Sequence, residues 1–281
     1  MTIEGVLAEM VDRPSQYQRR RAHCSRQIVN RNFGTQGRVS VVIPTLNEAG
    51  RIGPLIESLR RERELREIIV ADGGSTDDTA SIAERLGTRL VTSDRGRGQQ
   101  LRAGAAAARG EFLLFLHADS VFPQGGLSAI TEVLDHNARV AGGNFRVVFD
   151  GDTRFARWLT AIYAWIRRFA LYYGDSGIFV RRPVYEALGG FQSIALMEDY
   201  EFVRRLERAG TTCCIGNPRL VASSRRFEKR RPATMITIWA LIQVLYWAGI
   251  SPERLAQMYS RNARGSDQRA SMRRPRIGRS T

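Results

Sequence analysis

Val39-Ser40-Val41-Val42-Ile43-Pro44 is a mostly β-branched run stopped by a proline. Such a run reads as a parallel strand buried on both faces. A helix over 49–62 follows, with Asn47 placed to cap it. Glu67-Ile68-Ile69-Val70-Ala71-Asp72 is a second strand, ending on the turn Gly73-Gly74-Ser75-Thr76-Asp77-Asp78. A helix over 79–86, a short strand over 89–92 and an Ala-rich helix over 99–109 come next. A fourth strand over 111–116 ends at His117-Ala118-Asp119. Strand alternating with helix through short connections means a mostly parallel α/β sheet flanked by helices. Ligands of such sheets bind beyond the carboxyl ends of the strands, where Asp72 and Asp119 both stand.

Further along, the pattern changes. A strand is expected over 143–149 and one long helix over 154–173, with apolar residues at 155, 158, 159, 162, 166, 169 and 173. A strand over 178–180 and helices over 183–188 and 197–209 follow. Residues 233–250 hold no charge, and Ser251-Pro252 starts a last short helix. Four segments are expected: a poorly ordered basic lead-in over 1–37, a catalytic α/β domain over 38–231, C-terminal apolar helices over 232–262, and a disordered basic tail over 263–281.

The chain has 281 residues, 43% hydrophobic and 25% charged, which excludes whole-chain disorder and fibrous repeats. Cys24, Cys213 and Cys214 make neither a disulfide scaffold nor a CxxC site. The net charge is +15, and about two thirds of it lies in residues 1–38 and 261–281. The middle of the chain has no basic stripe with interleaved aromatics, so nucleic acid is not an expected partner. Glu4 and Glu9 stand among the first ten residues, and no apolar run follows Arg19-Arg20-Arg21. No export signal is read there, and a cytoplasmic location is expected.

Read residue by residue, several sites leave two chemistries open. Asp72 before Gly-Gly-Ser makes an Asx-type turn or lets a ligand approach the backbone. Asp119 is a turn residue or a ligand of a divalent cation. Glu198-Asp199 opens a helix, complementing its dipole or supplying a general base. Arg95-Gly96-Arg97-Gly98 precedes a helix and suits a phosphate, although it matches neither the P-loop nor the dinucleotide fingerprint.

Together these residues resemble family-2 glycosyltransferases. The resemblance runs through Ser40–Glu48, Val70–Thr79, Ala108–Glu111, Leu116–Asp119, Glu198-Asp199 and Arg205, in order. It is similar in particular to a bacterial subgroup with His-Ala-Asp-Ser/Thr, Gly-Asp-x-Gly-Ile-Phe and Ser-x-Arg-Arg-Phe/Trp, here His117–Ser120, Gly174–Phe179 and Ser224–Phe227. That subgroup includes carotenoid-acid (4,4'-diaponeurosporenoate) glycosyltransferases.

The resemblance implies the GT-A fold, a nucleotide-sugar donor with UDP favoured, and Mn2+ or Mg2+ as the divalent cation. It implies donor contacts from Pro44, Thr45, Glu48, Asp72, Gly98, Gln100 and His117, with the metal on Asp119. Asp199 matches the catalytic base, with Glu198 in support. Gly174, Asp175, Arg225 and Arg226 fall on the acceptor and sugar side. His117 departs from the pattern, standing where the family has the first Asp of Asp-x-Asp. The processive Gln-x-x-Arg-Trp motif is missing, so single transfers are expected, and a carboxylate placed in line to deprotonate the acceptor implies inversion at the anomeric carbon.

The expected acceptor is a hydroxyl or carboxyl group, on a small molecule, a lipid or a carotenoid. Residues 233–250 sit at the short limit for a spanning helix. Trp239, Tyr246 and Trp247 there suit a membrane interface, and Arg157, Arg167 and Arg168 flank an aromatic helix. Peripheral attachment to an anionic membrane at its cytoplasmic face is the expectation; the other reading is a packed helix. Rival functions are a nucleotidyltransferase on a sugar phosphate, which would release pyrophosphate, and a non-catalytic basic membrane adaptor.

Overall fold

The structure, a computed structural model, describes residues 37–151, 153–223 and 232–259. Arg225, Arg226, the Ser224–Phe227 motif and both basic ends lie outside the described residues. The elements in order are β1 (Val39–Thr45), α1 (Ala49–Arg60), β2 (Leu65–Asp72), α2 (Thr79–Arg85), β3 (Arg89–Thr92) and α3 (Arg97–Ala107). Then come β4 (Phe112–Phe115), α4 (Gly126–His136), β5 (Val140–Phe149), α5 (Arg154–Ile166), β6 (Ile178–Arg181) and α6 (Arg182–Ala187). α7 (Glu198–Ala209), β7 (Thr211–Ala222), α8 (Pro232–Trp247) and α9 (252–259) complete the described chain.

The strands make one sheet in the order β3-β2-β1-β4-β6-β5-β7. Only β6 runs against the rest, antiparallel to both β4 and β5. The expected mostly parallel α/β sheet is therefore what forms. Alternation along the strands divides the core in two. Val41, Ile43, Phe112 and Leu114 face α1 and α4 through Ile52, Ile56, Leu127 and Ile130. Val42, Leu113 and Phe115 face α3 and α7 through Leu101, Phe202 and Leu206. Both faces are covered, which is why β1 and β4 read as apolar runs.

Three local readings are corrected. Asn47 does not cap α1: its φ is 57°, and its Oδ1 accepts from the Thr76 amide at 2.8 Å. Asp77 takes the capping task, accepting from the Ala49 amide at 3.2 Å. The single helix expected over 154–173 ends at Ile166, because Arg167 turns inward. Arg167 is buried; its Nε donates to Asn144 Oδ1 at 2.6 Å, and its guanidinium lies 3.7 Å from Glu207 and 4.3 Å from the Tyr172 ring centre. It is thus not part of a surface basic patch.

The third correction concerns α8. Trp239 packs edge-on to Tyr173, Trp247 Nε1 donates to Tyr200 Oη at 2.8 Å, and Tyr246 meets Tyr200. Of the aromatics read as interfacial, Tyr246 and Trp247 join a cluster with Met197, Ile242 and Leu255, and Trp239 turns its indole N–H inward.

Candidate active site

The first half of the site lies at the carboxyl ends of β1, β2 and β4. A cleft of about 280 Å³ opens there, lined by Pro44, Thr45 and Glu48 from the β1 exit, Arg95, Arg97 and Gln100 from the Gly-rich turn and α3, and His117 and Asp119 after β4. Gln100 is buried and its Nε2 donates to the carbonyls of Thr45 (2.6 Å) and Ala71 (3.0 Å), tying the β1 and β2 exits together. Six of the predicted donor and metal residues thus share one cleft: Pro44, Thr45, Glu48, Gln100, His117 and Asp119.

Two predicted donor residues, Asp72 and Gly98, do not line this cleft. The Asp72 carboxylate is committed within the chain. Oδ1 accepts from Thr45 Oγ1 (3.0 Å) and Ser75 Oγ (2.5 Å); Oδ2 accepts from the amides of Gly74 (3.0 Å) and Ser75 (2.8 Å). This is the Asx-type turn. Burial works against the charge, but these donors outweigh it and hold the carboxyl below its ordinary value. Asp72 reaches the cleft through Thr45. Gly98 is a packing position: a Cβ there would sit 2.3 Å from the Gln192 carbonyl oxygen.

The second half is the start of α7. Glu198 and Asp199 are both buried, at 2% and 6% exposure, so their charges need partners. Arg97 supplies one: it pairs with Glu198 through Nε and with Asp199 Oδ2 at 3.4 Å. Burial works against the Arg97 charge, yet Asp199 and Glu198 outweigh it and raise its pKa. Burial pushes the Glu198 carboxyl above its ordinary value despite the pull of Arg97, and the Asp199 charge adds to the rise. The Gly174 amide donates to Asp199 Oδ2 at 2.8 Å.

Gly174 joins the two halves. A Cβ on it would lie 2.9 Å from His117 Nε2 and 3.1 Å from Asp199 Oδ2, so a side chain there would push both groups aside. His117 and Arg97 line both the donor-side cleft and a smaller space against Asp199. Asp175 accepts from Tyr163 Oη at 2.8 Å. Burial, then the adjacent Asp175, push the Tyr163 phenol well above its ordinary value, so it stays a donor.

The backbone ahead of the carboxylates is held in an unusual conformation. Met197 has φ 67° and ψ 20°, the left-handed region that a non-glycine residue enters at a cost. Its side chain is buried against Tyr200, Ile242 and Leu255, so packing from α8 and α9 fixes the direction in which Glu198 and Asp199 leave.

Sequence reasoning named the Gly-rich turn but not Arg97 as the cation of the carboxylate pair. It also missed Tyr163, which the i, i+7 relation to Ala156 on the inner face of α5 could have drawn out.

Comparisons with known proteins bear on the family and the fold. The sequence model described as "Glycosyl transferase family 2" matches residues 40–188. A "PGL/p-HBAD biosynthesis glycosyltransferase" of Mycobacterium tuberculosis is 29% identical over 194 residues, 65% of this chain and 71% of that protein. A "Glucosyl-3-phosphoglycerate synthase" of Mycolicibacterium paratuberculosis is 35% identical, but over 96 residues, 30% of this chain and 29% of that protein.

Among solved structures, the glucosyl-3-phosphoglycerate synthase of M. tuberculosis with Mn2+, UDP and glucosyl-3-phosphoglycerate superposes with a TM-score of 0.55 at 21% identity, covering 80% of this chain and 87% of that one. The mannosyltransferase of Pyrobaculum calidifontis with GDP-Man and Mn2+ gives 0.54 at 20% identity, covering 78% and 65%. The two structures share the fold. The sequence match spans more than half of the chain and runs through β1, the Asp72 turn, His117-Ala118-Asp119 and Gly174: the chain belongs to glycosyl transferase family 2.

Proposed function

We propose that this protein is an inverting glycosyltransferase that moves a sugar from a nucleoside-diphosphate sugar, UDP favoured, to a hydroxyl or carboxyl group of a lipid-like acceptor, carotenoid acids included. The observation that carries the reading is the meeting at Gly174 of the His117 side of the cleft with the buried Asp199 carboxylate. A donor in the cleft and an acceptor beside Asp199 would be adjacent.

In the reaction, the acceptor oxygen attacks the anomeric carbon while the bond from that carbon to the diphosphate breaks. The diphosphate leaves with the bonding electrons, and Asp199 takes the proton from an acceptor hydroxyl. Glu198 helps set the charge around Asp199. Arg97 is the cation shared by the two carboxylates in the free chain, and a donor diphosphate in the same cleft would offer it a competing anion.

Asp119 and His117 bring one carboxylate and one imidazole to the cleft. Among the described residues no group of three or more His, Cys, Asp or Glu could hold a metal. This pair would hold a divalent cation on the donor side, and one carboxylate with one imidazole suits Mn2+ better than Mg2+. Such a cation would offset charge developing on the leaving diphosphate. UDP is tried first because one structure cited above was solved with it and the other with GDP-Man, and a lipid-like acceptor is favoured because the uncharged helix α8 packs against Tyr173 and Tyr200, next to Gly174 and Asp199.

The test is thermal stability with UDP or GDP, each with and without Mn2+, in the wild type and in Asp119→Asn and Asp199→Asn. A rise of several degrees that needs nucleotide and Mn2+ together, lost in Asp119→Asn and kept in Asp199→Asn, is expected. Asp199→Asn should also abolish transfer. Full activity of that variant would remove it from the role, and no shift with either nucleotide would overturn the donor assignment.

A further inference from the structure

The outer face of α5 carries a pattern that the proposed reaction does not use. Its inner side, Ala156 and Leu159 with Tyr163, packs on Phe149 and Ala222. Its outer side exposes Arg154, Arg157, Trp158 and Trp165, followed by the exposed Arg168. Trp158 is 44% and Trp165 57% exposed, and as an i, i+7 pair they share one stripe. Neither hangs loose: Trp158 stacks on Phe155 at 5.8 Å and Trp165 meets Phe169 edge-on at 5.0 Å. No acidic residue stands anywhere from 153 to 174.

The outer side of α8 is unusual in another way. Leu241 and Val244 are 50% and 48% exposed, and no charged residue occurs in the helix. α5 and α8 both reach Tyr173, whose ring lies 6.4 Å from Tyr163 and 5.8 Å from Trp239.

We propose that the outer faces of α5 and α8 dock on an anionic lipid bilayer. Trp158 and Trp165 sit at headgroup depth, Arg157 and Arg168 meet lipid phosphates, and Leu241 and Val244 rest against the interface. Two features select this occupant. Exposed tryptophans flanked by arginines are the composition that binds at headgroups. A second copy of the face would set arginine against arginine, with no acid on the α5 stripe to answer it. The docking stands on this surface alone. One consequence rests on the proposed transfer: Tyr163 binds Asp175, next to Gly174, so a membrane-dissolved acceptor would arrive beside Asp199.

The test uses the full chain, with vesicles of phosphatidylcholine alone or mixed with phosphatidylglycerol, unlabelled or brominated on the acyl chains. Binding is read by sedimentation and depth by quenching of tryptophan fluorescence. The chain has four tryptophans, and Trp239 and Trp247 face inward, so the signal separates. Wild type should bind the anionic vesicles and be quenched. Trp158→Ser/Trp165→Ser should lose the quenching and bind about tenfold more weakly at unchanged melting temperature, and Arg157→Ser/Arg168→Ser should weaken binding to anionic vesicles by a similar factor.

Unchanged binding and no quenching in the wild type would assign attraction to the basic ends and overturn the proposal. So would dimerisation without vesicles that the tryptophan variant abolishes, which would give the face to a second copy. Neither outcome depends on nucleotide binding, so failure here leaves the proposed transfer separately testable.

Discussion

Asp72 spends its carboxylate on the turn that ends β2, and its pKa falls below the 3.8 of a free Asp despite burial. A folded-state pKa below the unfolded one means that its contribution is fully present above about pH 4 and is lost as the pH falls through the lower, folded value. The urea midpoint of the wild type should therefore drop as the pH falls below about 4, and Asp72→Asn should flatten that part of the profile. A parallel profile would show that the bonds to Ser75, Thr45 and Gly74 carry no charge-dependent stability.

Arg97 makes the opposite case, a cation shared by two buried acids. Arg97→Gln should cost about 2 kcal/mol by denaturant midpoint, and Arg97→Gln/Glu198→Gln should recover most of it, since one buried charge leaves with the other. Residues at strand ends were readable because the motif places them: Asp119, His117 and Thr45 follow apolar runs directly. The Arg97 pairing was not, because its partner Glu198 is 101 residues away and only the closed sheet brings them together.

At the scale of elements, the parallel strands and their helices were legible wherever apolar periodicity was unbroken. α4 shows the same spacing, with Leu127, Ile130 and Leu134 buried, but it starts at Gly125-Gly126 without a capping side chain, so its beginning gives no sequence signal. β7 was hidden for a physical reason: Gly216-Asn217-Pro218 interrupts it, and its register against β5 jumps from Phe145↔Ile215 to Val147↔Leu220. α5 was drawn too long because Arg167 looks like a surface residue until Asn144, Thr212 and Glu207 are folded around it. Arg167→Leu should lower stability by about 3–5 kcal/mol in denaturant titration, leaving Glu207 without its cation. A loss under 1 kcal/mol would mean that water reaches this pair.

On the scale of the whole molecule, the carboxylate pair depends on parts far along the chain. Met197 and Tyr200 are covered by Ile242 and Leu255, which lie beyond residues 40–188, the part the family match covers. Ile242→Ala and Ile56→Ala should each cost about 2–4 kcal/mol by denaturation. Under conditions where both stay folded, Ile242→Ala should also lower turnover, whereas Ile56→Ala, on the other face of the sheet, should not. Equal activity would detach α8 from the site.

The cover over Met197 also sets an order of assembly. A ribosome delivers β1 well before Leu255, so the cleft at the strand ends can form on a growing chain while the carboxylate pair still lacks its packing. On the proposed assignment, a nascent chain would hold nucleotide before it could react, and competence would arrive only when the segment around residue 255 clears the exit tunnel.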